Sequence, residues 1–170
     1  MPFTLLHDRS LPLTLSDEAA IDACCPAMDL VVFAHRSQIA VHRSIKWEKL
    51  FGMVSTGATC LAWRPDGKAL AAGQEDGTVV VFDVESGAEF GQQYLRPHSN
   101  QITGLQWIAM TDIDDEPLRE REDLLPGDEP TMYTSKSLEV LASGDASAIV
   151  TLSAFGNLPI GCVDLSGANG

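Results

Sequence analysis

Between Thr59 and Asp83 the chain reads TCLAWRPDGKALAAGQEDGTVVVFD, and its apolar positions fall into three short blocks. Thr59–Trp63 alternates small and large apolar residues until Pro65-Asp66-Gly67 interrupts it. Ala69–Gly73 is stopped by Glu75-Asp76-Gly77, and Thr78–Phe82 is rich in β-branched residues. Asp-Gly between apolar blocks signals a tight turn, because glycine takes positive φ without a Cβ clash. The pattern predicts three antiparallel strands closed by the aromatic-acid pair Phe82-Asp83.

The same pattern recurs on both sides. Upstream, Pro26-Ala27-Met28-Asp29 forms a turn, Leu30–Ala34 a middle strand and Gln38–His42 a third strand. Downstream, His98-Ser99-Asn100-Gln101 leads into Ile102–Trp107, which parallels the block ending at Trp63. Val140–Gly144 then parallels Ala69–Gly73, and Ile149–Leu152 parallels Val79–Phe82. A strand unit repeated at roughly 40–45 residues is the pattern of a β-propeller blade. The expected fold is all-β, with three blades at residues 20–54, 55–97 and 98–160, the outer two degenerate.

Composition changes this picture little. The chain is 45% hydrophobic and 21% charged, with glycine and proline spread as turn punctuation, as a globular β protein requires. No run reaches the roughly 18–20 apolar residues of a membrane span, and Met1-Pro2-Phe3-Thr4 lacks the basic start of a signal peptide. Cys24, Cys25, Cys60 and Cys162 lack metal-binding spacing and read as buried, reduced thiols of an intracellular protein. A closed propeller of seven such blades needs on the order of 300 residues. The chain is therefore expected to be an N-terminal fragment of a longer one or an incomplete gene product.

Charge is unevenly placed. Asp112 to Glu129 holds nine of the acidic residues and two arginines, more than half of the net charge of −13. From Trp63 to Gly73 is 10 residues and from Trp107 to Gly144 is 37, so blade three carries an insertion, placed at 111–137. A long acidic insertion reads first as a solvated loop, and a docking segment for a basic partner is the second reading. An acidic chain without a basic stripe argues against nucleic acid as the main ligand.

Catalytic and metal chemistry find no support in the residue spacing. The four histidines form no His-x₃-His or His-Glu-x₂-His pattern. His35 and His42 point to opposite faces if the stretch between them is continuously extended. Gly73–Gly77 lacks the Lys-Ser/Thr of a phosphate loop, and its two carboxylates would repel phosphate. Trp63 and Trp107 hold the same place in two repeats and read as inter-blade core. No nucleophile elbow is present.

These residues resemble a family. Pro97-His98, the Asp-Gly turns and Phe82-Asp83 look like the marks of WD40 repeats. More narrowly, TCLAWRPDGKALA after one degenerate repeat resembles the N-terminal WD40 domain of anaphase-promoting complex subunit 4 proteins, over roughly Phe3 to Trp107. The repeat positions carried over are Trp63, Asp66, Gly67, Asp76, Gly77, Phe82, Asp83, His98 and Trp107. In a complete WD40 blade His, Ser or Thr, Asp and Trp form a hydrogen-bonded set. Here blade two has Asp76 but Phe82 in place of Trp, and blade three has His98 but Leu152. The resemblance implies a non-catalytic scaffold subunit of a ubiquitin ligase controlling mitosis, in nucleus and cytoplasm. Its partners would be the other subunits, with no cofactor, metal, nucleic acid, membrane or small-molecule substrate. The alternative is a generic WD40 adaptor that binds peptides.

Overall fold

The computed structural model describes residues 21–35, 37–55, 57–88, 97–110 and 138–167. These form eleven strands and no helix, arranged as three antiparallel sheets. Sheet one runs β1(Ile21–Cys24), β2(Leu30–His35), β3(Gln38–Arg43), β4(Glu48–Val54), each strand hydrogen-bonded to the next. Sheet two holds β5(Ala58–Trp63), β6(Ala69–Gln74) and β7(Val79–Asp83). Sheet three holds β8(Ile102–Met110), β9(Leu138–Asp145), β10(Ile149–Ala154) and β11(Leu158–Asp164).

Register shows that the sheets are copies of one unit. Trp63 lies opposite Leu70, and Trp107 lies opposite Leu141. Cys60 faces Gly73 and Gly104 faces Gly144, each next to a bulge at the same place. Thr59 Oγ1 donates to Gly73 O at 3.2 Å, and Thr103 Oγ1 donates to Gly144 O at 3.3 Å. One main-chain bond recurs in all three sheets, tying the residue after the third strand back to the start of the second, just before its first residue in sheets one and two and at its second residue in sheet three. It is Ser44 N to Asp29 O, Val84 N to Lys68 O and Phe155 N to Glu139 O. This is an incomplete WD40-type propeller arc.

The middle sheet is buried on both faces, which explains why its strands read as unbroken apolar runs. Alternation divides them between two cores. Leu70, Ala72, Val80 and Phe82 face sheet one's Val32, Ile39 and Val41. Ala69, Ala71, Val79 and Val81 face sheet three's Ile102, Trp107 and Leu141. Small residues in β6 let the sheets approach closely. A Cβ on Gly73 would lie 2.6 Å from Ile102 Cγ2.

Three expectations need correction. Cys24 and Cys162 are exposed and Cys25 and Cys60 half-buried, because Cys24, Cys60 and Cys162 lie on β1, β5 and β11, each an outermost strand of its sheet, and Cys25 just follows β1. His35 and His42 are not on one extended segment, since a hairpin turn separates β2 from β3. Ser153, not Leu152, takes the place of Phe82, because Ser153 pairs with Leu141 as Phe82 pairs with Leu70. The acidic segment Asp112–Glu129 lies outside the described residues.

Candidate interaction surface

Each sheet has two ends, and the sequence-derived positions collect at both. The upper end carries the β6–β7 and β9–β10 turns and the segments leading into β5 and β8. The lower end carries the β1–β2, β3–β4 and β5–β6 turns, and β8 and β9 meet it at Met110 and Leu138.

At the upper end His98 is buried, with Nε2 2.8 Å from Ser143 Oγ and Nδ1 3.2 Å from Asp145 Oδ2. Asp145 Oδ1 also accepts the main-chain N–H of Ser147 and of Ile149, at 2.9 and 3.0 Å. Burial opposes ionisation of Asp145 most strongly. The Ile149 and Ser147 N–H groups together with His98 outweigh it and hold the carboxyl below the usual aspartate range. Ser, His and Asp in line resemble a hydrolase triad in residue type. Here all three are buried, and the group acts as a clasp between β9 and the segment that leads into β8.

The equivalent place in sheet two is a neutral version. Gln74 occupies the Asp145 register and donates from Nε2 to Ser55 Oγ at 3.1 Å, both residues buried. Asp76 closes the next turn by accepting Thr78 N at 3.0 Å. Gly77 has φ 85°, and its N–H donates to Gln74 O.

Lower down, Trp63 and Trp107 are buried in the two inter-sheet cores. Trp63 Nε1 donates to Ala23 O at 3.1 Å, whereas Trp107 Nε1 is buried without a partner among the described residues. Phe82 is fully buried, and Asp83 accepts the N–H and hydroxyl of Ser86. Those two Ser86 donors hold the Asp83 carboxyl below its usual range.

At the lower rim Arg64 joins two sheets. Its Nε and Nη2 each donate to Asp66 at 2.8 Å, and Nε lies 3.0 Å from Glu139 Oε2 at the start of β9. Burial tends to raise the Asp66 pKa, but Arg64 and the Lys68 N–H overcome it, so the net shift is downward. Glu139 goes the other way. Its burial pushes the carboxyl above the usual range, and the Arg64 charge only partly opposes it. Gly67, at φ 74°, lets this turn press on sheet one, where a Cβ would lie 2.8 Å from Met28 Cε. Beside it a cleft of about 510 Å³ opens between sheets one and two, walled by Leu30, Leu50, Phe51 and Val84 with Arg43 and Lys68 on its lining.

Ser143 and Asp145 were missed by residue reading. Aligning the repeats on Asp76-Gly77 matches Ser147-Ala148 and draws attention away from the Ser-Gly-Asp that ends β9.

Comparison with known proteins places this architecture. A family model described as the anaphase-promoting complex subunit 4 WD40 domain matches residues 23–110. Anaphase-promoting complex subunit 4 of Dictyostelium discoideum is 24% identical over 142 residues, covering 62% of this chain and 16% of the relative. Its namesake in Mus musculus is 33% identical over 90 residues, covering 49% of this chain and 11% of the relative. The chain thus spans a small part of the length of these relatives. Among solved structures, the WD40 repeats of RRP9 superpose with TM-score 0.59 at 15% identity, covering 84% of this chain and 37% of that one. A chain of the Mitotic Checkpoint Complex superposes with TM-score 0.56 at 16% identity, covering 88% and 39%. At such identities the structural likeness speaks for the fold alone.

Proposed function

The chain belongs to the anaphase-promoting complex subunit 4 WD40 domain family, and from that premise we propose that it is a non-catalytic scaffold part of a multi-subunit ubiquitin ligase acting in mitosis. It works by offering rigid loop rims to other subunits, in nucleus and cytoplasm, without cofactor, nucleic acid or membrane. The observation that carries the reading is the family match over residues 23–110, which spans sheets one and two and β8. The geometry supports it further. The residues that could have done chemistry, His98, Ser143 and Asp145, are spent on holding strands together. Loops on a fixed β scaffold are suited to recognition.

The experiment is affinity capture of the tagged full-length protein followed by mass spectrometry. Recovery of the other ubiquitin-ligase subunits is the expected result. Recovery of a single short-peptide partner would instead favour a generic WD40 adaptor, the reading kept second because the lower-rim cleft is large enough to hold part of a peptide.

A further inference from the structure

Sheets two and three are fastened at the upper end by the same device. A side chain from the segment before the first strand meets the last residue of the second strand. Ser55 meets Gln74 in sheet two, and His98 meets Asp145 in sheet three. Ala58 lies opposite Gln74 and Ile102 opposite Asp145, so the two fastenings can be counted from a common point. Ser55 stands three residues before Ala58, and His98 four residues before Ile102.

The corresponding place in sheet one belongs to His35, the last residue of β2. The recurring main-chain bond confirms the match, because Asp29 to His35, Lys68 to Gln74 and Glu139 to Asp145 are each six residues. His35 Nε2 is buried and has no hydrogen-bond partner among the described residues. A buried nitrogen left unpaired is costly, so it calls for a partner. Alternation puts His35 on the face of Val31 and Phe33, opposite to the Val32 and Ala34 that pack toward sheet two. Continued by one step, the ladder that pairs Ile21 with Ala34 sets position 20 against His35. Four and three residues before it the sequence has Ser16 and Asp17, both outside the described residues. A bulge at this step, as in sheets two and three, moves the count back by one and keeps Ser16 in range.

We infer that the chain before β1 is a strap, latched to sheet one by a hydrogen bond between His35 Nε2 and the Ser16-Asp17 pair. The imidazole sits on the strand and the oxygen on the incoming segment, the reverse of His98 and Asp145. An imidazole Nε2 already meets a serine hydroxyl in this molecule, His98 with Ser143 at 2.8 Å. The latch lacks the reinforcement of sheet three, where two main-chain N–H groups also hold Asp145. It can therefore open without loss of the sheet. Opening uncovers the face of sheet one that sheet two does not use. There Phe33 stands 5.8 Å from His42 and 6.1 Å from Trp47 between ring centroids. The strap controls access to those rings.

The test follows cleavage of the strap in folded full-length protein. Dilute chymotrypsin cuts after Leu13 or Leu15 when the strap is open, so the rate at those bonds, read by mass spectrometry, reports the open population. His35→Ala, and Ser16→Ala combined with Asp17→Ala, are each expected to raise the rate about five- to tenfold, the loss of one hydrogen bond. All three changes together should raise it no further, because they remove the same bond. His35→Gln supplies the side chain that sheet two uses at this place and should restore slow cleavage, whereas His35→Leu should not. Equal rates for the Gln and Leu variants overturn the inference, and so do effects that multiply when the substitutions are combined. None of these readouts involves the other ligase subunits, so the strap and the assembly reading can fail separately.

Discussion

A Cβ placed on Gly77 would lie 2.3 Å from the carbonyl oxygen of His98, well inside van der Waals contact. The turn of sheet two is thus pressed onto the backbone that leads into sheet three, at a φ of 85° that L side chains rarely adopt. Gly77→Ala should cost about 3 kcal/mol or more, summing left-handed strain and a clash that backbone cannot relieve by rotamer change. Glu75→Ala, two residues earlier on an exposed side chain, should stay within about 0.5 kcal/mol. Urea denaturation of both variants checks this, and equal losses would mean that the two repeats do not meet at this turn.

The two buried tryptophans should respond differently to Phe. Trp63→Phe loses packing and the bond from Nε1 to Ala23 O, while Trp107→Phe loses packing and removes an unpartnered buried N–H. Trp63→Phe is expected to be the more destabilising by about 1 kcal/mol, the worth of one such bond. Matching midpoints in thermal melts would show that the Trp63 bond contributes nothing.

Acid should loosen sheet three through Asp145. Its folded pKa lies below the unfolded value of about 3.9. Its contribution is therefore present above that value and is lost as pH falls through the folded pKa. Stability should be insensitive to this group above roughly pH 5 and decline below about pH 4. Asp66, Asp83 and Asp164 are shifted the same way, so the parent curve sums several groups. The difference between the parent and Asp145→Asn isolates the clasp, and parallel pH curves for the two would contradict it.

Met110 and Leu138 face each other as register partners at the open ends of β8 and β9. A two-residue Asn-Gly turn should therefore join them directly. Replacing residues 111–137 this way is expected to change stability by no more than about 1 kcal/mol, a Tm shift of roughly 2–4 °C. Circular dichroism that lost its β signal on this replacement would refute the pairing of β8 with β9.

Sheet two was the most legible in sequence, for a physical reason. Both of its faces are buried, so β5, β6 and β7 carry unbroken apolar runs bounded by Asp-Gly turns. The outer strands β4 and β11 were harder to read. Every residue of β11 is exposed, so no burial constraint imposes a pattern on Leu158–Asp164. The clasp was half visible. His98 stood out as the opening residue of a repeat, but its partners lie 45 and 47 positions later, across the acidic insertion. Only the strand register places Ser143 and Asp145 beside it. The cleft was not visible at all, since Arg43, Phe51, Lys68 and Val84 come from separate turns and strands that only folding brings to one rim.

The main-chain bond that closes each sheet at its lower end asks nothing of side chains. In its three occurrences the donor belongs to Ser44, Val84 or Phe155, and the acceptor to Asp29, Lys68 or Glu139. The place that would hold a signature aromatic can then be His42, Phe82 or Ser153 without the fastening being lost. Such a unit can drift far in sequence while each copy still seats on its neighbour. The repeats can therefore diverge in what their rims present to other molecules without giving up the shared frame.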